Sequence, residues 1–248
     1  MKYIGSKNRI SKEIAPIIQK CIDDNNVKKY FEPFVGGANM IDKIKCDGRI
    51  GNDIHTGFIS LFKALQNGWK PPLHISEEEY NSVRDNPSKY PDYFVAFVGF
   101  CATFGSKYFG GYARGFKADK VTPRDIPNES IRNLLDQVPN IKEVLFLNKN
   151  YLDFDIKGFN NCVIYCDPPY QDTTKYKTGG FDYDLFWQWV RELSEDNYVL
   201  VSEYQAPSDF NALWEKQVTT SLKVKEHEYR TEKLFTYNNG KYAKQYLN

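Results

Sequence analysis

Apolar residues recur along the chain with two different periods, and the change of period marks the expected elements. In residues 6–24, Ile10, Ile14, Ile17, Ile18, Cys21 and Ile22 fall three to four positions apart, which predicts a helix with Ser6 or Asn8 as its cap and Pro16 as a kink. "KKYFEPFVGG" (28–37) reads as a strand running into a glycine turn, "ANMIDKIKC" (38–46) as a helix and "RIGND" (49–53) as a second strand. "TGFISLFKALQNG" reads as a helix stopped by Gly68. Strand and helix alternate, which predicts a parallel sheet.

Residues 70–140 break that rhythm. "SEEEYNSVRD" opens like a capped helix, "PDYFVAFVGFCATF" continues as an apolar one, and "PNESIRNLLDQV" closes as a third. Between them "GSKYFGGYARGFKADK" combines glycine, aromatic rings and positive charge with no regular period. The alternation resumes with "EVLFLN", "NCVIYC", a helix around "YDLFWQWVRELSE" and the strand "YVLVSEY"; "QVTTSLKVKEHEYR" and "KLFTY" then read as antiparallel strands. The pattern therefore predicts an α/β sheet domain from residues 1–69 and 141–248, with 70–140 as an inserted, mainly helical region. No internal repeat or long low-complexity segment interrupts it.

Composition adds limits. The 248 residues suffice for one large α/β domain or a core with an insertion, and 41% hydrophobic with 26% charged residues is ordinary for a soluble globular chain. A net charge of +1 excludes a uniformly basic nucleic-acid coat, but charge is segregated. Residues 104–124 hold five Lys/Arg against one Asp, and residues 216–248 seven against three Glu. Two basic segments on a neutral whole suit a polyanion bound on one face; solvated surface charge is the alternative. The five cysteines are scattered without a C-x-x-C pair, and His55, His74 and His227 lie far apart, so we expect reduced thiols, no metal site and a cytoplasmic protein. No signal peptide or membrane-spanning run is visible, and no obligate protein partner is evident; the size allows a monomer.

Two stretches suggest chemistry. In "FEPFVGGANM" Gly36 and Gly37 stand between a strand and an expected helix, where a ligand can approach the backbone. Asp53 ends the next strand, the place where an acid accepts hydrogen bonds from ribose hydroxyls in nucleoside-binding α/β folds. Neither a G-x-G-x-x-G pattern nor a P-loop lysine pattern is present, which disfavours NAD, FAD and ATP. A purely structural turn remains open, but turn and acid together favour an adenosyl-type ligand. The second stretch is "IYCDPPY", an apolar strand that ends abruptly in Asp167-Pro168-Pro169-Tyr170. An acid at a strand end faces the crevice of an open sheet. Asp167 and the Pro168 carbonyl make a two-acceptor site suited to an amino group, Pro169 helps fix the direction, and Tyr170 offers a flat wall. A surface turn with a helix-capping Asp is the alternative.

"MKYIGSK", "FEPFVGGANM", "GND" and "IYCDPPY", in that order, resemble the Dam-like DNA adenine-N6 methyltransferases. The resemblance implies a Rossmann-like, mostly parallel, seven-stranded sheet and S-adenosylmethionine as methyl donor, bound by Tyr3, Gly5, Lys7, Glu32, Phe34, Gly36 and Asp53, with Asp167 also touching it. "FLNKNYLDF" resembles the segment flanking the adenine ring, implicating Tyr151 and Asp153. Asp167 to Tyr170 would be the catalytic tetrapeptide, with the target adenine flipped out of duplex DNA, stacked on Tyr170 and held through N6 by Asp167 and Pro168. Direct transfer from an activated donor requires no metal and no covalent nucleophile. The insertion would read the target, with Lys107, Tyr108, Arg114, Lys117 and Arg124 as DNA-contact candidates and Arg230 as another. "ATFGSKYFGGYARG" departs from the Asn-Arg-containing stretch of the best-known members, many of which read GATC, so that site is not carried over.

Methylation of RNA or of a protein amide, and a catalytically silent DNA-binding module, are the alternatives; the protein-amide relatives usually place Asn where this chain has Asp167. If the basic segments neutralise several phosphates, duplex affinity falls steeply with salt. Titrating a labelled duplex from low to moderate salt checks this, and a flat response would remove the basic segments from the interface.

Overall fold

The computed structural model describes residues 7–170, 180–220 and 228–247. Among the described residues there are seven strands: β1 (Lys29–Glu32), β2 (Gly48–Asn52), β3 (Leu145–Leu147), β4 (Val163–Cys166), β5 (Tyr198–Glu203), β6 (Phe210–Thr220) and β7 (Glu228–Tyr237). They form one sheet in the order β3-β2-β1-β4-β5-β7-β6. β4 runs parallel to β1 and β5, and β7 runs antiparallel to β5 and β6. The α/β class and the seven-stranded mixed sheet agree with the sequence reading. Seven α-helices are described: α1 (Ser11–Asp24), α2 (Thr56–Gln66), α3 (Glu77–Asp85), α4 (Asp92–Cys101), α5 (Ile126–Ile141), α6 (Tyr183–Leu193) and α7 (Lys241–Tyr246). Among the described residues no helix is long and apolar enough to cross a membrane.

The chain divides into two compact units: Met1–Lys12, Val35–Ile44 and Gly51–Lys149 form the first, and Glu13–Phe34, Lys45–Ile50 and Asn150–Asn248 the second. The first unit is built on α2, α4 and α5. Its core is aromatic, with Phe58 stacked on Phe100 (4.3 Å) and Phe62 on Phe146 (4.8 Å). In the second unit every residue of β4 and β5 is buried, as expected for strands covered on both faces. α6 contributes Phe186, Trp187, Trp189, Val190 and Leu193 to that core, the 3–4 spacing that places them on one stripe. Each such burial contributes about 1.5–3 kcal/mol.

Several expectations move. The helix expected over 38–46 is a single 3-10 turn at Ile41–Lys43. Ala38 has φ of 56°, left-handed backbone that an α-helix cannot accommodate, and Ile44 is extended. No α-helix N-terminus therefore stands behind the glycine turn. α1 begins at Ser11, after a 3-10 turn over Lys7–Arg9. The C-terminal pair starts earlier than its pattern indicated, at Phe210, and shifts register between Ala212 and Trp214; α7 was not anticipated.

Gly51 shows how closely the first unit is packed. A Cβ there would lie 2.9 Å from Val35 Cγ2 and 3.1 Å from the Phe146 ring. Gly51→Ala should cost about 1–3 kcal/mol through overpacking, read as a lower urea midpoint with an unchanged slope.

Candidate active site

In the first unit the glycine turn is held by hydrogen bonds from several directions. Val35 N donates to Asn52 O (2.7 Å) and Ala38 N to Val35 O (2.8 Å), while Gly36 takes φ of 47°. Left-handed backbone at Gly36 carries no Cβ penalty, which is why glycine suits that position. Asp53 grips the turn: its Oδ2 accepts from Gly36 N and its Oδ1 from His55 N, both at 2.8 Å. Each oxygen retains a further acceptor direction. Burial raises the Asp53 carboxyl above its ordinary value, and the two backbone donors oppose that shift. His55 in turn caps α2, its Nδ1 accepting from Gly57 N (3.1 Å). Buried Asn52 exchanges two 3.0 Å bonds with Lys149, which ties the end of β2 to the chain beyond β3. From α5, the buried Gln137 amide donates to Gly37 O (3.1 Å) and Ala38 O (2.7 Å). Sequence reasoning missed Gln137, since nothing local connects it to a turn a hundred residues earlier. Lys7 is buried in the same unit. Tyr3 and Gly5 lie outside the described residues.

In the second unit Glu32 ends β1, buried, with its Oε1 accepting from Tyr30 OH (2.6 Å). Phe34 and Tyr151, assigned together from sequence, do meet, their rings 5.1 Å apart. Phe181 joins them at 5.9 Å and 5.7 Å. Its place was legible: it precedes Asp182, whose side chain caps α6 through Leu185 N (2.9 Å), and it packs on Phe186 (5.4 Å) as a hydrophobic staple. Burial pushes the Tyr151 hydroxyl up to about 12. Trp189 lies edge-on to Tyr151 (5.1 Å), and its buried indole N–H has no hydrogen-bond partner among the described residues. Asp153 is exposed, in a short 3-10 turn with Tyr151.

β4 ends at Cys166, and Asp167, Pro168, Pro169 and Tyr170 follow directly. Neither proline has an N–H, so the ladder cannot continue through them. Pro168 is buried and Asp167 half-buried. Tyr183 OH donates to Pro169 O (2.9 Å), one residue past the carbonyl expected to act as acceptor. Tyr170 is 8% exposed, and its hydroxyl donates to Glu232 Oε2 (2.7 Å). Its ring meets Tyr204 edge-on at 4.6 Å, and the Arg230 guanidinium sits 5.2 Å over Tyr204. Burial first, then the charges of Asp167 and Glu232, hold the Tyr170 hydroxyl well above its ordinary pKa. Ser202 and Glu203 are buried; Ser202 bonds Tyr165 OH (2.7 Å), and Glu203 accepts from Tyr204 N (2.7 Å).

Among the DNA candidates Lys107 and Lys117 are exposed. Arg114 forms a two-pronged ion pair with Glu77, and Arg124 another with Glu129. Tyr108 is 38% exposed and rests on Phe100 (4.6 Å) and His55 (5.3 Å). The same segment exposes Phe104 (62%), Phe116 (63%) and Val121 (77%). Among the described residues no cluster of three His, Cys, Asp or Glu could hold a metal ion.

The first unit thus carries a glycine turn clamped by an acid, and the second a buried strand that ends in Asp-Pro-Pro-Tyr. The chain belongs to the D12 class N6 adenine-specific DNA methyltransferases, whose family model matches residues 3–231. It is 24% identical over 194 residues to the Modification methylase StsI of Streptococcus sanguinis, covering 70% of this chain and 29% of that protein. It is 30% identical over 89 residues to the Type II methyltransferase M.MjaIII of Methanocaldococcus jannaschii, covering 34% and 29%. Each match thus spans under a third of the relative's length. A solved structure of SMU.472 complexed with SAH matches with a TM-score of 0.36 and 13% identity, over 90% of this chain and 52% of that one.

The clamp on the glycine turn is testable by itself. Asp53→Ala leaves two backbone N–H groups without their acceptor and should cost about 1–3 kcal/mol in urea unfolding. Because the folded state holds the Asp53 proton more tightly than the unfolded chain, the residue's contribution to stability declines as pH rises through the window just above the ordinary carboxylate range. Asp53→Asn should flatten that part of the stability–pH profile.

Proposed function

We propose that this chain is a site-specific DNA adenine-N6 methyltransferase that takes its methyl group from S-adenosylmethionine. Family membership supports the reaction, and the observation that carries the reading is the tetrapeptide at the end of a fully buried strand. Rigid mounting matters because an acceptor aimed in advance contributes more to a transition state than one that must reorganise.

Each unit by itself offers groups that suit the donor. In the second unit three rings, Phe34, Tyr151 and Phe181, cluster as apolar surface suited to a purine ring. The left-handed backbone at Gly36 keeps that turn clear of side chain, and the remaining acceptor directions of Asp53 suit ribose hydroxyls. Lys7, Glu32 and Asp153 are assigned to the same ligand by family resemblance, as are Tyr3 and Gly5. When bound, S-adenosylmethionine supplies an already activated methyl group for direct in-line transfer, so no protein nucleophile is needed.

The chain's own residues do the rest. The Asp167 carboxylate and the Pro168 carbonyl accept the two N6 hydrogens of a flipped-out adenine. Bonds to both hydrogens favour a pyramidal nitrogen whose lone pair is no longer shared with the ring. Tyr170 stacks on the base, worth about 1–3 kcal/mol. Lys107, Lys117 and the segment around Tyr108 approach duplex DNA, with Arg114, Arg124 and Arg230 as further contacts. The names of the two relatives favour the modification arm of a restriction–modification system. We place its work on cellular DNA in the cytoplasm and expect it to act as a monomer. Asp at position 167 counts against a protein-amide substrate.

The test is to incubate the protein with S-adenosylmethionine and unmethylated genomic DNA and to map N6-methyladenine by single-molecule sequencing. We expect modification at one short recurring sequence. Asp167→Ala should lower the rate by a factor of about 100 or more. Methyl transfer to RNA or protein but not to DNA would overturn the proposal, and cofactor binding with no transfer would point to a silent module.

A further inference from the structure

Stacking needs a ring, not a hydroxyl, so the polar end of Tyr170 calls for a separate explanation. Phenylalanine would offer a base the same flat face. Yet the Tyr170 hydroxyl is buried and donates at 2.7 Å to Glu232 Oε2. A buried hydroxyl and a half-buried carboxylate are costly to desolvate unless they meet, so the pair is specified as a pair. The hydroxyl stays neutral, and remains a donor, because burial and the neighbouring carboxylates resist its ionisation.

The position of Glu232 is set by the sheet. β7 lies between β5 and β6, with Glu203 opposite Lys233 on one side and Lys216 opposite Glu232 on the other. A strand paired on both sides cannot slip by one residue without turning every side chain to the other face. Arg230, two residues before Glu232, shares its face, and its guanidinium covers Tyr204 at 5.2 Å. Tyr204 meets the Tyr170 ring edge-on at 4.6 Å and 88°. Tyr170 is therefore held at its hydroxyl by Glu232 and along its ring by Tyr204, and β7 stands behind both contacts.

We propose that Glu232 is a positioning residue for the methyl transfer: through the Tyr170 hydroxyl it fixes the plane of the ring on which the target base stacks, with Arg230 and Tyr204 bracing the same ring. The inference rests on the function proposed above. It extends that function to a strand whose chemistry lies outside the tetrapeptide, and it gives Arg230 a role within the protein.

The test compares Glu232→Ala, Glu232→Gln, Tyr170→Phe and the Glu232→Ala/Tyr170→Phe double variant, each first shown by circular dichroism and thermal unfolding to be folded. Steady-state methylation of a mapped site is measured alongside fluorescence of 2-aminopurine placed at the target position, which reports unstacking of the base. We expect Glu232→Ala and Tyr170→Phe each to lower kcat between about 10-fold and 100-fold, as a misplaced reacting group does, with KM for S-adenosylmethionine unchanged. The double variant should be no worse than either single one, because both remove the same bond. Glu232→Gln keeps an acceptor oxygen and should recover most of the activity, and the 2-aminopurine signal should fall in Glu232→Ala and return in Glu232→Gln. Wild-type transfer with additive losses, or with full activity in Glu232→Ala and Tyr170→Phe, would overturn the brace and leave the proposed function standing. A wild-type protein that methylates no DNA would overturn the function itself.

Discussion

The second unit is organised by how β4 ends. A strand buried on both faces needs its backbone donors paired, and β4 pairs with β1 at Val163 and Ile164 and with β5 from Val163 to Cys166. Two prolines then remove two donors, so the chain leaves the ladder without stranding an N–H in the core. The exit fixes Asp167 at the rim with its backbone still anchored by the sheet. It also forces Tyr170 to find its partners outside β4, which it does on Glu232 of β7 and on Tyr204 just beyond β5. A flexible exit of ordinary residues would leave the same side chains present but unaimed.

The first unit reaches rigidity by a different route. Its glycine turn has no α-helix behind it, so a helix dipole does not organise it. Side chains do that work: one carboxylate holds two backbone donors, one buried amide holds two carbonyls, and an asparagine ties the strand end to the chain beyond β3. Polar groups so placed are stable only because each is satisfied, which makes the turn stiff at the cost of tolerance to substitution.

Local pattern carried most of the fold. Hydrophobic period located most of the strands and helices, and the capped start read at "SEEEYNSVRD" is present, with the Ser76 side chain accepting from Glu79 N. What local pattern could not carry was anything set by distant pairing. The helix expected at 38–46 failed because left-handed backbone at Ala38, stabilised by Gln137 far along the chain, overrides helical spacing. Phe34 and Tyr151 were assigned together and do meet, whereas Glu232, 62 positions from Tyr170, gave no signal of its own. An acid on a β-strand two places after an arginine looks like ordinary exposed alternation until the strand register is known.

The same limit applies to the basic surface. In sequence, Arg114 and Arg124 are cations in a glycine- and ring-rich stretch; in the fold each already has a carboxylate, Glu77 and Glu129. Both pairs are exposed, and exposed pairs of this kind contribute little, about 0–1 kcal/mol each. Such a pair holds the side chain in a defined place while leaving it inexpensive to transfer. A backbone phosphodiester offers a guanidinium a two-pronged match like that of a carboxylate, with the same single negative charge. For the DNA contacts proposed above, breaking either ion pair would cost little, and counterion release from the duplex would offset that cost. The pairs also keep these arginines ordered without the self-repulsion of a uniformly basic face, consistent with a net charge of only +1.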